Sequence, residues 1–271
     1  MSLFSNNNSE LKVQMPSVAG MFYPAEPARL EADVNTMLNE ATVSGKPTPK
    51  AIIAPHAGYI YSGPIAASAY ALFMPDRDKI KRIVIMAPSH RLPLRGIAAS
   101  SAKRFRTPLG DINVDKKALE SVLELPQVVV LDEAFNGEHA LEVHLPFLQQ
   151  VLSQFSIVPF IVGSVPAQEV AEVLATLWGD TETRIVISSD LSHFLDYDSA
   201  RVKDQKTTEM IEAFDYAGLD FEDACGRNPV KGLLYEARRR NLQVKTVDLR
   251  NSGDTAGDKS RVVGYGAYVF S

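Results

Sequence analysis

Three short apolar runs, each ending in a histidine, constrain this chain more than any other feature. Ala51-Ile52-Ile53-Ala54-Pro55-His56 is the first. Arg82-Ile83-Val84-Ile85-Met86-Ala87-Pro88-Ser89-His90 is the second, and Arg184-Ile185-Val186-Ile187-Ser188-Ser189-Asp190-Leu191-Ser192-His193 the third. Runs rich in β-branched residues, without polar alternation, are what a strand buried on both faces needs. Each run then breaks into small or turn-forming residues and delivers one imidazole just past the strand. In an open parallel sheet, ligand crevices lie outside the carboxyl ends of the strands. The chain has only five histidines, and three follow this plan. A shared polar site at adjoining strand ends is the expectation, although one such histidine alone reads as a hydrogen-bonded loop residue.

The 271 residues are 45% hydrophobic, enough for one large core. The net charge of -5 lacks the basic footprint of a nucleic-acid binder. A single cysteine, Cys225, excludes an internal disulfide framework and fits a reducing, cytoplasmic setting. No run is apolar and long enough to span a bilayer, so no membrane partner is expected. Residues 1–16 read as a flexible N-terminal arm, Ser/Asn-rich at its start, and 17–271 as one domain. Strands and helices alternate without a composition break. The fold class is therefore α/β: a single-domain sandwich with a mostly parallel central sheet.

Along the chain, Ser17 to Pro24 is an aromatic turn laid against the core, and Pro27 opens a helix. Gly45 to Pro49 is a short linker. Gly58 to Pro64 turns the first histidine strand into a helix carrying Ile65, Ala69 and Phe73. Asp115 is placed to cap a helix. Pro159, inside an apolar run, points to an edge strand or a bulge. Gly257-Asp258-Lys259-Ser260 is not a phosphate loop, because Asp258 interrupts it and no helix follows.

Imidazole with carboxylate is a donor set for Fe(II), Cu or Zn. His56, His90, His193, Asp190 and Asp254 supply it. Asp190 and His193 are three residues apart, so one turn can aim both at the site as acid and base. An N-cap is the alternative for Asp190, and satisfaction of its own loop the alternative for Asp254. His139 and His144 are five apart and do not share one helix face, and H-E-x-x-H is absent. His139 with Glu138 belongs at the mouth of the following helix. His144 reads as a core-edge residue and Cys225 as a small packing residue.

Seven ordered motifs then carry a resemblance. They are Val18-Ala19-Gly20-Met21-Phe22-Tyr23-Pro24, Ala54-Pro55-His56-Ala57-Gly58-Tyr59, Ala87-Pro88-Ser89-His90, and the Glu138–Phe147 stretch. Ser188-Ser189-Asp190-Leu191-Ser192-His193-Phe194, Cys225-Gly226-Arg227-Asn228-Pro229 and Ser252-Gly253-Asp254-Thr255-Ala256-Gly257-Asp258 complete the set. From about Val18 to Phe270 the chain resembles the Memo family, protein B of the AmmeMemoRadiSam set. That family is similar to class III extradiol (LigB-like) non-haem iron dioxygenases. The resemblance implies a LigB/phosphorylase-like sandwich, metal ligands at His56 and His90, and a catalytic region at Asp190 and His193. The dioxygenases' third ligand falls in the closing loop, at Asp254 or Thr255, and Asp254 is the better donor.

Three function classes follow, two of them enzymatic. One is a metal-dependent oxidoreductase, with His56, His90 and Asp254 holding Fe(II) or Cu, Zn being a further option, and His193, Asp190 and His139 moving protons. A metal-assisted hydrolase would use the same donors. The third is a non-catalytic, metal-free protein that keeps the crevice to bind a small molecule, a peptide or a radical-SAM partner protein.

Overall fold

The apolar runs become the interior strands of one large sheet. The structure, a computed structural model, describes residues 12–41 and 48–271. The residues 45–47 of the expected linker and 1–11 of the expected arm lie outside that description.

In chain order the first half comprises β1 (Val13–Gln14), α1 (Pro27–Glu40), β2 (Ala51–Ala54), α2 (Tyr59–Tyr70), β3 (Arg82–Pro88), β4 (Ile97–Ala99), β5 (Arg104–Thr107), β6 (Gly110–Val114), α3 (Lys116–Glu120) and β7 (Val128–Val130). The second half comprises α4 (Leu145–Val151), β8 (Ser156–Val162), α5 (Ala167–Thr176), β9 (Thr183–Ser188), β10 (His193–Leu195), α6 (Tyr197–Glu212), α7 (Arg227–Arg239), β11 (Val244–Asn251), α8 (Ser252–Thr255) and β12 (Val262–Phe270).

The strands are ordered β1-β5-β6-β8-β3-β9-β2-β12-β10, with β11 on β12 and β4 joining β8 to β7. The centre, β6-β8-β3-β9-β2, is parallel throughout, and antiparallel strands flank it. The architecture is the expected α/β sandwich with a mostly parallel core. Successive side chains of a strand face opposite sides. Every residue of β2 and β9, and all but the first of β3 and β8, is buried. Both faces of the centre are therefore covered. Helices α5 and α7 pack together and α7 lies on β3 and β9. Helices α1, α2 and α4 form a second group, in which α2 meets β2, β11 and β12.

The chain goes from β3 to β8 on one side, then returns to place β9 on the other side of β3. That reversal opens a crevice at the carboxyl ends of β3 and β9. Because β9 also pairs with β2, the ends of all three histidine strands adjoin.

Three expectations are corrected. Val13–Gln14, within the arm expected over 1–16, is a strand held parallel to β5. Helix α2 begins at Tyr59 rather than after Pro64. Pro64 is tolerated there because the carbonyl it leaves unpaired, that of Ile60, belongs to an exposed residue. Pro159 is in a central strand without a bulge. On one side β8 pairs with β3 throughout; on the other, β6 pairs at Ser156 and Ile157 and β4 at Phe160 to Val162. The missing N–H falls where the neighbour changes.

Lys50 fixes the entry to β2 and β9. Its ammonium donates towards the carbonyls of Trp178, Gly179, Asp180 and Thr183 at 2.6–3.3 Å. The Lys50 carbonyl accepts from Ile185 N–H at 3.1 Å. Lys50→Met should cost about 1–3 kcal/mol of stability, the scale for partners left unpaired. An unchanged urea midpoint would show that the clamp contributes nothing.

Candidate metal centre

His56 and His90 each stand two residues beyond a strand, after Ala54 of β2 and Pro88 of β3. His139 comes from the connection before α4, after Gly137, which turns with φ +70°. Their ligand atoms lie within 4.8 Å of one another. His90 and His139 stack at 5.0 Å, and His56 meets both edge-on at 5.2 and 5.5 Å.

Hydrogen bonds behind the rings decide which nitrogens are free. The Ser188 hydroxyl, at the end of β9, donates to Ala140 O at 2.6 Å. Its only proton is thereby used, so at 2.6 Å it accepts from His56 Nδ1–H. Nε2 of His56 is left with a lone pair. His90 Nδ1–H donates to Glu138 Oε1 at 2.9 Å, leaving its Nε2 free in the same way. Carboxylate and hydroxyl partners of this kind are what orient metal-ligating imidazoles.

Glu138 is buried and carries more than one bond. Its Oε2 accepts from His90 N–H at 2.6 Å and its Oε1 from Ala140 N–H at 3.0 Å. His139 Nδ1 is 3.5 Å from Oε1. Burial alone would raise its carboxyl, but His90 and two backbone N–H groups hold it below the usual carboxylate range. Burial likewise disfavours the charged form of two of the imidazoles. His56 is pushed well below its ordinary value, and His139 down to about 4. Neutral imidazole is the form that binds metal.

Cys225 departs from its expected role as a packing residue. Its Sγ is 3.3 Å from His56 Nε2 and accepts from Asp190 N–H at 3.3 Å. Gly226 allows this approach: a Cβ there would sit 2.3 Å from Ser188 O. Burial, then the nearby Asp190 carboxylate, pushes the thiol up. The small residue after Cys225 was the available sequence signal, but only the fold joins it to His56.

Asp190 does not cap a helix. Its Oδ1 accepts from His56 N–H at 2.7 Å, and Oδ2 is 3.9 Å from His56 Nε2. Burial pushes its carboxyl up to about 6. His193 donates from Nδ1 to Leu191 O at 2.8 Å. It lines a cavity of about 720 Å³ together with His90, Cys225 and Arg227. Phe194 follows with φ +62° and stands exposed in the same wall. The loop is pinned from below, where Ser192 N–H donates to Asp204 Oδ1 at 3.0 Å. A Cβ at Gly264 would lie 2.0 Å from the same carboxylate.

Asp254, expected as the third donor, is not in the three-residue group. Its Oδ2 accepts from Asn251 N–H at 2.9 Å in a capping box on α8, and its Oδ1 from Tyr197 OH at 2.5 Å. It lines a separate depression with Arg201 and Arg250. The carboxylate satisfies its own loop, and His139 completes the cluster instead.

The family model described as Memo-like protein matches residues 14–269. A MEMO1 family protein of Sulfolobus acidocaldarius is 32% identical over 278 residues, spanning 93% of this chain and 97% of its own. One of Aquifex aeolicus is 34% identical, spanning 96% and 100%. One of Archaeoglobus fulgidus is 35% identical, spanning 94% and 98%.

The buried imidazoles set a pH dependence. His56, His139 and His144, the last pushed by burial to about 3, all titrate below their ordinary value in the folded chain. Below pH ~6.5 the unfolded chain takes up protons that the folded one refuses, so stability falls as pH drops towards ~4. Asp190 acts in the opposite sense, since its raised value lets the folded state hold a proton between ~3.9 and 6. Asp204, also raised by burial, acts in the same sense as Asp190, and the three imidazoles outweigh the two carboxyls. Melting of the metal-free protein should shift downward through this window, and His139→Asn should flatten the slope. A flat wild-type profile would contradict burial of neutral imidazoles.

Proposed function

The chain belongs to the Memo-like protein family, and from that premise we propose that it is a metal-dependent oxidoreductase acting on a small organic molecule. One observation carries the reading. Three imidazoles converge, and two of them are fixed from behind so that Nε2 lone pairs remain available. His56, His90 and His139 would hold the ion, with the Cys225 sulfur beside His56 as the next donor. This nitrogen-rich set with one sulfur suits Fe(II) or Cu, and Zn as a redox-silent occupant. A bound iron or copper would supply one-electron chemistry at this point.

The chain's own residues do the rest. Glu138 and Ser188 keep the ligand rings in one tautomer and one orientation. Asp190 holds or releases a proton beside His56. His193 presents Nε2 from the cavity wall and can accept a proton from a bound molecule. Leu92 and Leu94 give the cavity an apolar side, and Arg227 and Lys203 a cationic one. A second reading, a non-catalytic binding protein, is favoured by Phe194 and Phe221, which stand 61% and 73% exposed in the same wall.

Metal analysis separates the two. Untagged protein loaded anaerobically with Fe(II), or with Cu, should retain near-stoichiometric metal. His56→Ala and His139→Ala should lose it, whereas Asp254→Ala should keep it. Glu138→Gln should weaken affinity about 10- to 100-fold, the usual cost of losing such a partner. Retention by the wild type would justify an oxygen-uptake screen. A wild type that binds neither ion would sink the enzyme reading and leave the binding one.

A further inference from the structure

The Val18–Pro24 motif takes no part in the chemistry proposed above, yet it touches the donor cluster. The Phe22 ring lies 4.8 Å from the His139 ring, tilted by 55°. His139 thus has Phe22 beside it as well as the stacked His90 ring. His90 and Cys225 line the large cavity, and neither His139 nor Phe22 does. The cluster therefore has an open side towards the cavity and an aromatic side towards the N-terminal segment.

That segment is built to stay in place. Glu142, three residues after His139, is buried and collects three donors from it. Ser17 N–H donates to Oε2 at 2.5 Å, Val18 N–H to Oε1 at 3.0 Å and Tyr23 OH to Oε1 at 2.5 Å. Gly20, at φ +82°, reverses the chain, and its N–H donates to Tyr23 O at 2.7 Å. Phe22 itself is fixed through its carbonyl, which accepts from Tyr59 N–H, the first residue of α2, at 2.8 Å. Val18 and Tyr23 are buried on either side, while Met21 is exposed. The bonds hold Phe22 between the ends of α2 and the His139 turn.

We infer that Phe22 is a positioning residue: it closes the donor cluster on the side away from the cavity, holds the His139 ring against His90, and makes the cavity the route by which metal and substrate reach the site. Glu142 is the latch that keeps it there. The metal part of this inference rests on the function proposed above; the shielding of His139 does not.

The test uses the full chain without metal. Histidines are modified with diethyl pyrocarbonate and located by peptide mass spectrometry. His193, exposed in the cavity wall, is the internal reference. Phe22→Ala should raise the His139 rate relative to His193 several-fold, at an unchanged melting temperature or after correction by native-state amide exchange. Phe22→Tyr, which keeps the ring, should restore the wild-type ratio. Glu142→Gln, which keeps the Phe22 side chain but weakens the bonds that hold its segment, should move the ratio in the same direction as Phe22→Ala. In cobalt(II)-loaded protein, Phe22→Ala should release the ion to a chelator roughly tenfold faster, with an altered visible spectrum. A His139 ratio unmoved by Phe22→Ala overturns the inference. A ratio that moves in a protein that binds no cobalt leaves Phe22 as the shield of His139 and removes the metal reading alone.

Discussion

A buried carboxylate needs partners for every charge-bearing oxygen, and Glu138 obtains them from both sides of the centre. It accepts from the backbone and ring of His90, beyond β3, and from the backbone of Ala140, beyond His139. Removing one partner of a buried charge costs far more than an exposed ion pair contributes. The end of a strand and a turn remote in sequence are thereby tied together at one point. The orientation of two of the three imidazoles depends on that knot. Ser188 does the neutral equivalent for His56, joining the end of β9 to the same Ala140.

The sheet makes this arrangement economical. Parallel strands bring their carboxyl ends to one edge, so a residue just beyond each strand reaches the same place. Close packing then selects the neighbours. Gly226 lies against Ser188 and delivers Cys225 to His56; Gly264 lies against Asp204, which supports Ser192 and so the His193 loop. Neither glycine has a role in chemistry. Each is required because a methyl group would collide with an oxygen beside the site, the Ser188 backbone carbonyl for Gly226 and the Asp204 carboxylate for Gly264.

The fold class was legible in the sequence because a strand buried on both faces has no polar alternation to hide it. His56 and His90 stood out for the same reason, since each follows such a strand. His139 was harder to place. It follows no strand, and its five-residue spacing from His144 gave no shared helix face; only the sheet's topology carries its turn to β3. Cys225 and Ser188 were read as packing and strand residues, and their partners lie 169 and 132 residues away in sequence. Asp254 drew notice because a carboxylate in a polar loop looks like a donor in search of an ion; in the fold its oxygens accept from Asn251 and Tyr197. Pro159 misled because proline normally marks an edge; a change of neighbouring strand frees an N–H position inside a sheet just as well.

The placement of β9 between β2 and β3 has a consequence for the order of events in biosynthesis. A nascent chain that has emerged through His139 already contains three of the imidazoles of the centre. It does not yet contain the strand that sets β2 and β3 at their final separation, nor the Ser188 hydroxyl that orients His56. Non-local pairing of this kind forms late, after a long loop has closed. The three histidines therefore exist as a loose set before they exist as a cluster, and their fixed geometry arises only when residues 183–188 insert.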